Sequence, residues 1–233
     1  MAPIYVIRLI FLTSLLILAA CASTAATPEG SPQVPEQLSS TAFEQDMQQF
    51  AMADAASPSP ENGVLFIGSS SIRLWDGLAA DFPGITVINR GFGGSELRDS
   101  TYYADRIIAP YAPRKILIYA GDNDLSSGRS PQQLREDFRA FVSRVRRDLP
   151  KVEIAYIAVK PSPSRAHLFE AQRLANALIA ADAGALDVEF IDIFTPMLDA
   201  TGKPREELFL EDRLHMNRAG YEIWRNVIAP YLD

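Results

Sequence analysis

The sequence is poor in the residues that bridge chains and hold metals. Its 233 residues include one cysteine, Cys21, and two histidines, His167 and His215. One thiol excludes an internal disulfide framework, and no Cys/His cluster for a metal can be assembled. Positive charge is also short: 22 Lys and Arg stand against 29 Asp and Glu, a net charge of -7. Without a Lys/Arg-rich stripe, nucleic acid is not an expected partner. The longest apolar stretch, Leu9 to Ala20, is too short for a comfortable membrane span. No G-x-S-x-G occurs, because Ile72 stands where the last glycine would fall after Gly68; the ordinary α/β-hydrolase elbow is excluded. Gly91-Phe92-Gly93-Gly94-Ser95-Glu96 likewise fails the dinucleotide pattern at Glu96.

What is present suits one ordinary globular domain with a tail: 48% of residues are hydrophobic and 22% charged. Residues 1–20 read as a secretory signal, with Arg8 as the only charge before an apolar run of h-region length. The run ends Leu18-Ala19-Ala20-Cys21, which resembles a bacterial lipobox. That resemblance implies a lipidated Cys21 at the mature N-terminus and a chain lipid-anchored at the bacterial cell envelope. The alternative is a plain signal cleaved near Ala20 or Ala22, with an incidental cysteine. Residues 21–40 are rich in Pro, Ser, Thr and Ala and read as a disordered tether. The domain is expected to cover 41–233. It opens with a helix over Thr41–Ala56 that places Phe43, Met47 and Phe50 on one face.

From Val64 the chain alternates strands with helices. Strands are expected at Val64–Ile67, Ile85–Asn89, Lys115–Ala120, Glu153–Val159 and Val188–Ile193. Helices are expected at Ile72–Asp81, Pro131–Asp148, Ala166–Ala183 and Asn217–Pro230. The third of these is read with Leu174, Leu178 and Ile179 inward, and His167 as a surface or rim residue. Such alternation implies a five-stranded parallel sheet with right-handed crossovers. Ligands bind beyond the carboxyl ends of strands in such sheets. Four polar or Gly-rich turns follow the first four strands: Gly68-Ser69-Ser70-Ser71, Arg90–Ser95, Gly121-Asp122-Asn123-Asp124 and Lys160–Arg165. Each alone is an ordinary cap or turn; together they crowd one edge of one sheet.

A serine at the carboxyl end of a strand needs a base to become a nucleophile. Asp212-Arg213-Leu214-His215 puts a carboxylate three residues before an imidazole, close enough to reach Nδ1–H and leave Nε2 as the acceptor. The backbone N–H of the serine, a glycine N–H and the Asn123 amide would supply oxyanion donors. The order Ser, Gly, Asn, Asp, His resembles the SGNH (GDSL-type) hydrolase family, over roughly Val64 to the C-terminus. The family's G-x-N-D and D-x-x-H blocks match as written at Gly121–Asp124 and Asp212–His215. Its G-D-S block maps onto Gly68-Ser69-Ser70, so that Ser69 replaces the usual Asp. The resemblance implies Ser70 as nucleophile rather than Ser69 or Ser71. It implies Gly94 (or Gly93) and Asn123 beside Ser70 in the oxyanion hole, and Asp212 and His215 as orienter and base. It further implies a flavodoxin-like three-layer α/β/α sandwich and hydrolysis of esters without a cofactor or metal.

Short loops and no lid-sized insertion favour short acyl groups, acetyl above all, on a small ester or acylated glycan. A lysophospholipase or thioesterase is the alternative, as is a catalytically silent glycan-binding module on the same fold. Trp75, Arg73 and Arg165 are read equally well as substrate contacts or as core and surface pairs.

Overall fold

Short apolar runs form the strands of a five-stranded, wholly parallel sheet. They are β1 (Val64–Gly68), β2 (Val87–Gly91), β3 (Lys115–Tyr119), β4 (Glu153–Ile157) and β5 (Glu189–Ile191), in the order β2-β1-β3-β4-β5. The computed structural model describes Met1 and residues 41–232. The expected signal, Cys21 and the tether lie outside the described residues.

β1 and β3 are buried at every position, which is why they carry continuous apolar runs. Their side chains alternate between two cores, one on each sheet face. Leu65, Ile67, Ile116 and Ile118 meet α1 (Glu44–Ala56), α4 (Leu97–Tyr102), α5 (Ala104–Ile107), α6 (Asp122–Ser126), α7 (Pro131–Asp148) and α8 (Phe169–Ala183). Val64, Phe66, Leu117 and Tyr119 meet α2 (Ser70–Arg73), α3 (Leu78–Asp81) and α9 (Arg218–Ile228). The result is the expected α/β/α sandwich. The crossover leaving β1 goes to one side and the one entering β3 to the other, so the topological switch lies between them.

Local signals start two of the helices. Ser130 caps α7 in a reciprocal pair with Gln133, and Pro131 occupies the first helical position. Leu134, Phe138, Phe141, Val142 and Val145 then form its buried stripe. Asn217 caps α9 through the N–H groups of Ala219 and Gly220. α1 docks through Met47 and Phe50, and Phe43, just before it, sets its ring edge-on to Phe92 in the glycine loop at 5.1 Å.

Several expectations are corrected. The helix expected over Ile72–Asp81 is two short pieces, α2 and α3, broken around Trp75. The Trp75 indole turns into the core, stacks on Tyr221 at 5.1 Å and donates to Asp81 Oδ2 at 2.7 Å. Packing of one large ring overrides helix continuity. The second strand runs from Val87 to Gly91, later than expected, because Ile85 is still in a turn onto the Phe82 carbonyl. The helix expected from Ala166 begins at Phe169, and Leu174 faces solvent. Its buried face instead includes Gln172 and Asn176. Asn176 brackets the Val159 N–H and carbonyl at 2.8 and 2.9 Å, which replaces strand pairing and ends β4 at Ile157.

Candidate active site

Gly68 makes the turn that presents the serines. Its φ is +135°, and a Cβ there would lie 1.9 Å from the Tyr119 carbonyl oxygen, so only glycine fits. The chain then enters α2 with Ser70 as its first residue. Ser69 and Ser71 are buried, at 3% and 2% exposure; Ser70 is half-buried at the rim. Its Oγ lies 2.9 Å from His215 Nε2. Of the three serines, only Ser70 makes a hydrogen bond to that ring among the described residues.

His215 is held by its own turn. Asp212 Oδ1 accepts the backbone N–H groups of Leu214 and His215, each at 2.9 Å, and Oδ2 takes His215 Nδ1 at 2.6 Å. Desolvation pulls the Asp212 carboxyl upward. The two backbone donors and the ring outweigh it and hold the carboxyl down at about 2. An ionised Asp212 fixes the proton on Nδ1 and leaves Nε2 facing the serine as an acceptor. Ser70, His215 and Asp212 thus form one hydrogen-bonded line across 145 residues of sequence.

The other predicted residues lie on the neighbouring turns. Gly94 is exposed with φ +85°, a conformation suited to glycine, at the tip of the loop after β2. The Phe92 N–H bonds the Gly68 carbonyl at 2.9 Å, which fastens that loop beside the serine turn. Asn123, in the first turn of α6, donates Nδ2 to the Ser95 carbonyl at 3.0 Å. That bond ties the Asn123 turn to the glycine loop. Asp124 is wholly buried and takes the Leu97 N–H at 2.9 Å on Oδ1. Burial pushes its carboxyl up to about 7.

Of the residues read two ways in the sequence, Trp75 is in the core and Arg73 is exposed, its guanidinium lying over Gly93. Arg165 is turned inward, with Nη2 donating to Asn123 Oδ1 at 3.0 Å. Behind it lies a buried ion pair, Lys160 Nζ to Asp122 Oδ2 at 2.7 Å. Burial raises the Asp122 carboxyl, and the two cations Lys160 and Arg165 outweigh it and hold the group below its usual value. Sequence reasoning gave Lys160 no role. The one signal was a lysine directly after an apolar strand, at the sheet edge that carries the site. His167 is exposed, as expected of a rim residue. Among the described residues, no group of three or more His, Cys, Asp or Glu could hold a metal ion. Nor is any helix there long and apolar enough to cross a membrane.

Comparison with known proteins gives a family match and a shared fold. The model of the GDSL-like Lipase/Acylhydrolase family matches residues 68–223. No curated protein matches the chain. Among solved structures, a Streptococcus pneumonia protein provisionally described as a platelet activating factor is 24% identical, with TM-score 0.72, covering 82% of this chain and 92% of its own. A GDSL-like lipase from Bacteroides thetaiotaomicron is 21% identical, with TM-score 0.68, covering 80% and 96%. A variant of an acetyl-xylooligosaccharide esterase from Geobacillus Stearmophilus is 15% identical, with TM-score 0.58, covering 75% and 95%. These likenesses establish the shared fold.

Proposed function

Since the chain belongs to the GDSL-like lipase/acylhydrolase family, and is therefore a hydrolase of the acylhydrolase/esterase type, we propose that it cleaves short-chain carboxylic esters through an acyl-enzyme on Ser70. The observation that carries this reading is the unbroken line Ser70 Oγ–His215 Nε2–His215 Nδ1–Asp212. Ser70 Oγ attacks the ester carbonyl while its proton passes to His215 Nε2. The resulting oxyanion is held by the Ser70 and Gly94 N–H groups and by Asn123 Nδ2. His215 returns the proton to the departing alcohol as the C–O bond breaks. Water then attacks the acyl carbon, gives its proton to His215, and the acid leaves as Ser70 regains its hydrogen.

Acetyl is the preferred acyl group in this reading, and an acetylated glycan the preferred substrate. The fold is shared with an acetyl-xylooligosaccharide esterase. A cavity of about 550 Å³, lined by Pro163, Ala166, Phe169, Lys203, Glu206 and Arg213, includes one residue of the loop that carries His215, and this reading assigns it to the alcohol part of the substrate. The reading also takes the protein to be exported and anchored through lipidated Cys21. No cofactor or metal enters the scheme. Hydrolysis of p-nitrophenyl esters from C2 to C12, beside a panel of acetylated sugars, tests it. kcat/KM falling with chain length and release of acetate from sugars are expected; a preference for C8 or longer contradicts the short-acyl reading. Cys21→Ser should move the protein from the membrane to the soluble fraction.

A further inference from the structure

The reading of Asn123 as an oxyanion donor leaves open what aims its amide, and an adjacent fork of charge answers that. Asn123 Oδ1 accepts from Arg165 Nη2 at 3.0 Å, and Asn123 Nδ2 donates to the Ser95 carbonyl at 3.0 Å. The second guanidinium nitrogen, Nη1, lies 2.8 Å from Asp122 Oδ1. This is an ion contact to the residue next to Asn123 in sequence. One guanidinium therefore spans two adjacent side chains. The Arg165 side chain is itself only 14% exposed. Its anchor is buried further still: Asp122 Oδ2 meets Lys160 Nζ, which also donates to the Tyr119 hydroxyl at 3.2 Å. Gln172 Nε2 adds a contact to Asp122 Oδ1 at 3.4 Å.

The charges in this buried row do not cancel. Lys160 and Arg165 are two cations against the single carboxylate of Asp122, and the surplus positive charge ends on Asn123 Oδ1. We propose that Arg165 is a positioning residue that aims and polarises the Asn123 amide for the oxyanion. A carboxamide has two N–H bonds on one nitrogen. With Oδ1 engaged by Arg165 and one N–H by Ser95, the remaining N–H is left for developing negative charge. A cation on Oδ1 draws electron density through the amide and makes that N–H a stronger donor. The backbone supports the same placement. Arg165 N–H bonds the Ser162 carbonyl at 3.0 Å, and Ser164 N–H bonds the Arg213 carbonyl at 3.0 Å, two residues from His215. The loop after β4 therefore braces the oxyanion side and the base side of the site together. Lysine cannot replace this arginine. Its single ammonium has no planar fork with which to reach Asp122 and Asn123 at once.

The test is a double-mutant cycle on p-nitrophenyl acetate with wild type, Arg165→Ala, Arg165→Lys, Asn123→Ala and the corresponding double variants. Arg165→Ala is expected to lower kcat roughly 10- to 100-fold, the range of one charge-assisted hydrogen bond, with KM within about threefold. In the Asn123→Ala background the same change should cost less than about threefold, since its target is gone. Arg165→Lys keeps a cation for Asp122 and so preserves the fold, read by circular dichroism, yet should still lose at least about fivefold in kcat. It decides the matter if the alanine variant does not fold. Added guanidinium should restore part of the activity to Arg165→Ala and none to Arg165→Ala/Asn123→Ala. Equal losses in both backgrounds, or wild-type kcat in Arg165→Lys, overturn the proposal. Wild-type kcat in Asn123→Ala overturns instead the oxyanion reading on which it rests.

Discussion

Replacing Asp212 by Asn changes one group and spares the scaffold around it. The carboxylate does two jobs: Oδ1 accepts the Leu214 and His215 N–H groups at 2.9 Å, and Oδ2 takes His215 Nδ1 at 2.6 Å. An asparagine carbonyl keeps the first job, so the turn that carries His215 should persist. Its NH2 group then stands where Oδ2 stood and can only donate. The ring must answer with an unprotonated Nδ1, which puts its proton on Nε2, facing Ser70 Oγ 2.9 Å away. In that tautomer His215 cannot accept the serine proton. Nor does any anion balance the imidazolium, whereas native Asp212, held at about 2, is ionised throughout the working pH range. An orienting carboxylate of this kind is worth roughly 10³- to 10⁴-fold in kcat, or about 4–5.5 kcal/mol of barrier. Steady-state hydrolysis of p-nitrophenyl acetate reads the loss, and the melting temperature should stay within about 2 °C of wild type, because Asp212 is about half exposed. A variant with kcat within tenfold of wild type would refute the assignment of Asp212 as the orienter. Asp212→Ala, which also orphans the two N–H groups, should lose stability as well.

Two further outcomes follow from the packing around the site. Asp124 is a buried carboxyl raised from 3.8 to about 7, so its favourable contribution is complete below about 3.8 and is lost as pH rises through about 7. Asp124→Asn keeps an acceptor for the Leu97 N–H but cannot ionise; its melting temperature relative to wild type should climb between pH 5 and pH 9, and a difference flat with pH would defeat the reasoning. Gly68→Ala puts a methyl 1.9 Å from the Tyr119 carbonyl oxygen at a φ of +135°. It should cost about 3 kcal/mol or more in urea unfolding, and a midpoint near that of wild type would contradict the turn geometry.

The sheet and the meeting of its turns were legible because parallel strands obey simple rules. Apolar runs such as Val64–Ile67 and Ile116–Tyr119 announce burial on both faces, and turns at strand carboxyl ends share one edge by topology alone. That logic already put Ser70 and Asn123 near one another; the Asp212–His215 turn was added by its chemistry and by the family resemblance. Three-dimensional packing hid the rest. Trp75 breaks a helix because its ring fits against Tyr221, a partner 146 positions away that no local pattern reveals. Leu174 looks inward on a helical wheel, yet α8 buries Gln172 and Asn176 to serve the loops of the site. The contact between Arg165 and Asn123 spans 42 residues and depends on the direction of one long side chain. In the sequence, Arg165 reads equally well as a substrate contact or as a surface pair, and nothing there points to Asn123 as its partner.

The most direct measurement is mass spectrometry of the protein after treatment with a fluorophosphonate, which reacts with an activated serine hydroxyl. The account predicts a single adduct on Ser70, absent from Ser69 and Ser71, together with loss of nearly all ester hydrolysis in a folded Ser70→Ala variant. An unlabelled Ser70, with wild-type turnover of p-nitrophenyl acetate in Ser70→Ala, would contradict it.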